Sequence, residues 1–166
     1  MSLLSYSQSI VVWASPESVY DMVSDVTRTG EWSPICKACW WDEGAGPQED
    51  AWFSGRNESD GRTWETRSKV EVAIRGREFA WLVGGAFARW GFTFTPVYGR
   101  TRLIESWEFR PEGIARFQDK YGSDADAEID RRAEEAKAGI PVTLAAIKRL
   151  AEANDPTAAP VRRASR

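Results

Sequence analysis

Residues 63–74 read TWETRSKVEVAI, and no other stretch of the chain constrains the fold as tightly. Trp64, Thr66, Ser68, Val70, Val72 and Ile74 alternate with Glu65, Arg67, Lys69 and Glu71. Successive side chains of a strand point to opposite faces. A period of two therefore predicts an antiparallel strand with one face in the core and its charges in water. The following segments obey the same rule. Phe79, Trp81 and Val83 share a face in EFAWLV, as do Trp90, Phe92 and Phe94 in RWGFTFTPV. Leu103, Glu105, Trp107 and Phe109 share a face in TRLIESWEFRP, and turn residues RGR and YGR separate these runs.

Upstream, ACWWDE (38–43) and AWFSGRNE (51–58) read as two further strands, and SYSQSIVVWA (5–14) as the first. Between them, Ser15 is a good N-cap, Pro16 suits the first helical position, and Val19, Met22, Val23 and Val26 fall at helical spacing. A short amphipathic helix follows from this, with a turn or second short helix ending at Pro34. From Asp126 the pattern changes to Ala, Glu, Lys and Arg, with Ile140, Leu144, Ile147, Leu150 and Ala151 on one stripe. This is a long C-terminal helix, which Gly139-Ile140-Pro141 should kink or effectively begin. Residues 155–166 have no apolar periodicity and are expected to form a disordered tail after a domain spanning 1–154. About seven strands expose a concave face that only the last helix can cover. The expected fold is therefore α+β, a curved antiparallel sheet wrapped round that helix.

Composition narrows the chemistry. There is no histidine, which removes imidazole ligands, Ser-His and Cys-His nucleophile pairs and a histidine base together. The net charge of −3, with basic residues scattered among acidic ones, argues against a nucleic-acid surface. No apolar run reaches the roughly 18–20 residues of a membrane span, so stable membrane insertion is not expected. The two cysteines do not make a secreted disulfide framework, and a cytoplasmic location is the default expectation. Nine Trp, seven Phe and four Tyr are more bulky apolar material than a small core needs, since each ring buries about 150–250 Å².

The succession ASPESVYDMVSDV, GEWSP, FSGRN, RTWETRSKV, REFAWLV and GRTRLIESWEF resembles the polyketide cyclase/dehydrase and lipid-transport family of the START/Bet v 1-like superfamily. The likeness runs over roughly residues 5–154. It implies the helix-grip fold and an internal apolar pocket, but no single activity, because that superfamily includes carriers, receptors, cyclases and co-chaperones.

Cys36 and Cys39 form a Cys-x-x-Cys, but a structural zinc needs four ligands and no second Cys or His pair exists. They are read as packing, and no metal or cofactor is expected. Candidate ligand-binding residues are Trp32 near the pocket mouth, Phe53, Trp64, Trp81, Trp90, Phe92 and Trp107 on the strands, and Leu144 and Ile147 on the helix. Asn57 and Thr66 are the polar contacts expected to orient a ligand. Gly55, inside a strand, suggests a bulge or a close approach by a ligand or helix. Glu105 shares the inner face and is the candidate catalytic residue. Its alternatives are a twist that turns it to solvent or a pair with an arginine.

The leading expectation is binding of a small hydrophobic molecule, lipid-like or aromatic, between sheet and helix. A polyketide aromatase/cyclase-type enzyme is the alternative. A filled-interior protein-interaction module is the third. Nothing in the residues sets an oligomeric state.

Overall fold

The computed structural model describes residues 4–154. The expected tail, 155–166, lies outside the described residues. Seven strands form one antiparallel sheet: β1 (Ser5–Val12), β2 (Cys36–Trp41), β3 (Trp52–Ser59), β4 (Arg62–Ile74), β5 (Glu78–Val83), β6 (Ala88–Val97) and β7 (Arg100–Phe109). Their order is β1-β7-β6-β5-β4-β3-β2, so the first strand closes onto the last and the chain then meanders to an edge at β2. The helices are α1 (Pro16–Val23), α2 (Pro111–Tyr121) and α3 (Ala125–Asn154). This is the helix-grip architecture of Bet v 1-like proteins, with the long helix gripped by the sheet.

Local chemistry explains most of the boundaries. Ser15 accepts a hydrogen bond from the Ser18 amide and Pro16 occupies the first turn of α1, whose Val19, Tyr20, Met22 and Val23 are buried. After it, Val26–Glu31 forms a 3-10 turn rather than a second α-helix, capped by Asp25 on the Thr27 amide. The β3–β4 hairpin turns on Asp60 and Gly61 with φ of 49° and 74°. The β6–β7 hairpin turns on Tyr98 and Gly99 with φ of 49° and 75°. Two successive left-handed residues are what a tight two-residue hairpin requires.

Three expectations are corrected. The alternation of β4 does not run to Ile74. A bulge between Val70 and Val72 shifts the register against β5, so that Ala73 faces Phe79 in the core while Ile74 is 52% exposed. Second, α3 already runs from Ala125 and continues past Pro141, so the proline does not mark its start. Burial of Ile140, Leu144 and Ile147 on the same helix outweighs the hydrogen bond that the proline forfeits. Third, α2 was not expected. Pro111 at its start and the spacing of Ile114, Phe117 and Tyr121 were the available signals.

The core gathers Val12, Val19, Val70, Phe79, Leu103, Ile140, Leu144 and Ile147, all essentially without solvent contact. Each such side chain contributes roughly 1.5–3 kcal/mol by leaving water. The long helix packs mainly on β1 and β7, while α1 packs on β6 and α2 on α3. Over β3 to β6, α3 reaches the sheet through long side chains, Glu128 to Arg62 and Arg132 to Trp64. No described helix is long and apolar enough to cross a membrane.

Candidate functional site

The concave face lines a cavity of about 450 Å³ between the sheet and α3. That is within the range of small-molecule sites, roughly 300–1,000 Å³. Its wall is a continuous run of rings. Phe53 packs edge-on against Trp81 at 5.9 Å and, behind the wall, against Trp41 at 5.5 Å, while Trp81 lies tilted on Phe92 at 6.0 Å. Trp90 lies 6.4 Å from Trp107, Trp107 lies 6.2 Å from Phe109, and Phe109 meets Phe117 of α2 at 5.0 Å. These separations suit aromatic pairs that hold one another's planes. The strand register produces the run, because Trp81, Trp90 and Trp107 stand in line across β5, β6 and β7.

The cavity wall includes Trp32, Phe53, Asn57, Trp64, Thr66, Trp81, Trp90, Phe92, Glu105 and Trp107. Leu144 and Ile147 are elsewhere. Both are fully buried in the core, and α3 offers the cavity Ala136, Gly139, Ile140 and Thr143 instead. The apolar stripe of α3 is wider than the part that faces the void, which hydrophobic spacing alone does not divide. From α2 come Arg116, Phe117, Lys120 and Tyr121, and from α3 also Arg132 and Glu135. Sequence reasoning missed these because α2 was not expected.

The polar groups have distinct surroundings. Asn57 Nδ2 donates to Thr66 Oγ1 at 3.1 Å, which fixes both side chains between β3 and β4. Glu105, 4% exposed on β7, faces Phe92 on β6. It is neither turned to solvent nor paired with an arginine, and its Oε2 has no hydrogen-bond partner. Burial raises its pKa well above the ordinary glutamate range, so it stands as a neutral acid with a proton to donate.

Cys36 and Cys39 also face the cavity. In a regular strand residues three apart point to opposite faces, but a register shift between Cys36 and Ala38 brings both inward, with Sγ atoms 3.2 Å apart. Gly55 lies opposite on β3, and a Cβ there would stand 3.1 Å from Cys39 Sγ and 3.3 Å from Cys36 Sγ. The close approach expected at Gly55 is thus made by the two sulfurs. The hydrogen bond between them lowers the Cys36 pKa, while that bond together with burial pushes the Cys39 thiol far up.

The family profile described as polyketide cyclase / dehydrase and lipid transport matches residues 4–138. A solution structure of a polyketide-cyclase-like protein of Corynebacterium glutamicum is 48% identical. That match covers 90% of this chain and 91% of that one, at a TM-score of 0.66. The di-domain ARO/CYC StfQ of the steffimycin biosynthetic pathway is 14% identical over 92% of this chain and 51% of its own, at a TM-score of 0.65. Ara h 8.0201 is 15% identical over 90% of this chain and 98% of its own, at 0.62. The last two share the fold alone. Among curated proteins no match was found.

Proposed function

The chain belongs to the polyketide cyclase / dehydrase and lipid transport family, and we propose that it binds one small hydrophobic molecule in the cavity between its sheet and α3. The observation that carries this is the ring-lined void of about 450 Å³. Packed interiors keep few voids larger than a water molecule, so a mostly apolar space of this size supports an occupant. Flat rings along the wall suit an aromatic or polyketide-like body as well as an aliphatic one. Asn57, Thr66 and Glu105 supply the few polar contacts that would orient it.

A titration with N-phenylnaphthylamine, excited through the tryptophans by energy transfer, tests the reading. Saturable one-to-one binding is expected, and substitution of Trp81 and Trp107 by Ala together should weaken it at least tenfold. Full affinity in that double variant would sink the proposal.

A second reading, a cyclase-type enzyme, is favoured by Glu105. A neutral carboxylic acid in an apolar wall is placed to donate a proton to a ligand carbonyl while the cavity holds the chain folded and dry. Assay of Glu105→Gln on a poly-β-ketone mimic decides it. Turnover by the unaltered chain that survives the substitution would remove Glu105 from any such role.

A further inference from the structure

Aromatic walls do not account for Arg132. From α3 its guanidinium lies 4.5 Å over the Trp64 ring and 5.9 Å from that of Phe117, at the cavity wall. Only 21% of the side chain is exposed, and its Nε is buried with no hydrogen-bond partner. Nearby carboxylates are committed elsewhere. Glu128 lies 2.8 Å from Arg131 and 3.1 Å from Arg62. Glu135 is 3.0 Å from Arg131 but 3.9 Å from Arg132, too long for a hydrogen bond. A desolvated guanidinium with an unmet donor is costly to keep, and a partner that arrives with the ligand removes that cost.

Two further cations stand on the same wall. Arg116 and Lys120 of α2 line the same cavity, and neither is ion-paired among the described residues. Of the other charged groups there, Arg67 is held by Asp42 at 2.7 Å and Glu65 stands opposite Arg56 in the β3–β4 register. In a chain of net charge −3, the exposed Arg116 and Lys120 and the half-buried Arg132, whose nearest carboxylate is Glu135 at 3.9 Å, lie on the wall of one cavity.

We propose that the cavity takes an amphipathic organic anion, its apolar body along the tryptophan wall and its carboxylate or equivalent oxyanion on Arg132. This rests on the ligand-binding reading above and names the ligand class. A guanidinium is a planar fork that matches two oxygens of one head group, and stacking on Trp64 holds its plane. Glu105 is level, through Phe92 and Phe79, with Ala73 of β4, so it lies three strands across and nine residues along from Trp64. A neutral acid there and a cation at Arg132 give a ligand two different ends.

The test compares pyrenebutanoate with pyrenebutanol, which differ only in the head group, by fluorescence titration of the whole chain at neutral pH and low salt. The anion should bind about ten- to a hundredfold more tightly than the alcohol. Arg132→Met, which keeps an apolar stem over Trp64, should erase that preference. Arg132→Lys should keep part of it. Equal affinities for the two probes in the unaltered chain would overturn the proposal while leaving the cavity reading intact, and this comparison needs no variant to fold. A preference that survives in Arg132→Met, or a variant that loses both probes equally, would also overturn it. Binding of neither probe would overturn the cavity reading and this one together.

Discussion

Glu105 stands directly across β6–β7 from Phe92, and no donor reaches its Oε2. A carboxyl in that position is tolerated as an acid, not as a carboxylate.

The first prediction follows from that protonation state. Above about pH 4.5, the ordinary glutamate value, the unfolded chain releases this proton while the native chain keeps it. The native state then binds more protons, so stability falls as pH rises, by up to about 1.4 kcal/mol per unit, until the native carboxyl itself ionises. Glutamine has no proton to lose. Urea midpoints of Glu105→Gln should exceed those of the unaltered chain by a margin that widens from about pH 5 to about pH 7. A margin independent of pH would contradict the assignment.

The docking of α2 supplies the second. Gly113 is buried where α2 meets the β5–β6 loop, and a Cβ there would come 2.4 Å from the Phe87 carbonyl oxygen and 3.0 Å from the Phe109 ring. Alanine is the better helix former by roughly 1 kcal/mol, but overpacking against backbone costs about 1–3 kcal/mol. Gly113→Ala should therefore lower the unfolding free energy, and it should weaken N-phenylnaphthylamine binding by shifting Phe117 and Tyr121. A stabilised variant with unchanged affinity would mean that α2 does not hold the cavity wall in place.

The sheet was legible because β4 to β7 alternate cleanly and their turns carry the right residues. From that alternation alone the inner-face tryptophans could be named. What was not legible depends on positions that break the pattern. The bulge at Val70–Val72 moves Ala73 inward and Ile74 outward, and the shift at Cys36–Ala38 turns two thiols to one side. Neither residue set announces a bulge. Arg132 was invisible for a different reason. A charged residue on an Ala/Glu/Lys/Arg helix reads as solvated, and only α2, closing over it with Phe117, makes it part of a wall.

The division of α3 between core and cavity gives a third prediction. Leu144 and Ile147 are fully buried and do not face the void, whereas Thr143 does. Leu144→Ala should cost about 2–5 kcal/mol of stability, as large-to-small core changes do. Affinity for N-phenylnaphthylamine should stay within about twofold, because no contact to the probe is removed. Loss of affinity at least as large as in the Trp81/Trp107 double variant would place Leu144 on the binding surface.

The last prediction uses the cysteines as reporters of the cavity. Both are half-buried to a similar degree, so access alone does not separate them. Their electrostatics do. The hydrogen bond between the two thiols holds Cys36 below the ordinary cysteine pKa, while the same bond and burial push Cys39 far above it. The thiolate is the nucleophile, so limiting iodoacetamide near neutral pH should label Cys36 first, as read by peptide mass spectrometry. Cys39→Ala removes that hydrogen bond and should slow the labelling of Cys36. Saturating N-phenylnaphthylamine should slow it in the unaltered chain, since Cys36 lies on the wall that the probe would cover. Equal labelling of the two cysteines would contradict the opposite shifts of their thiols. Protection absent at saturation would mean that the probe sits away from β2.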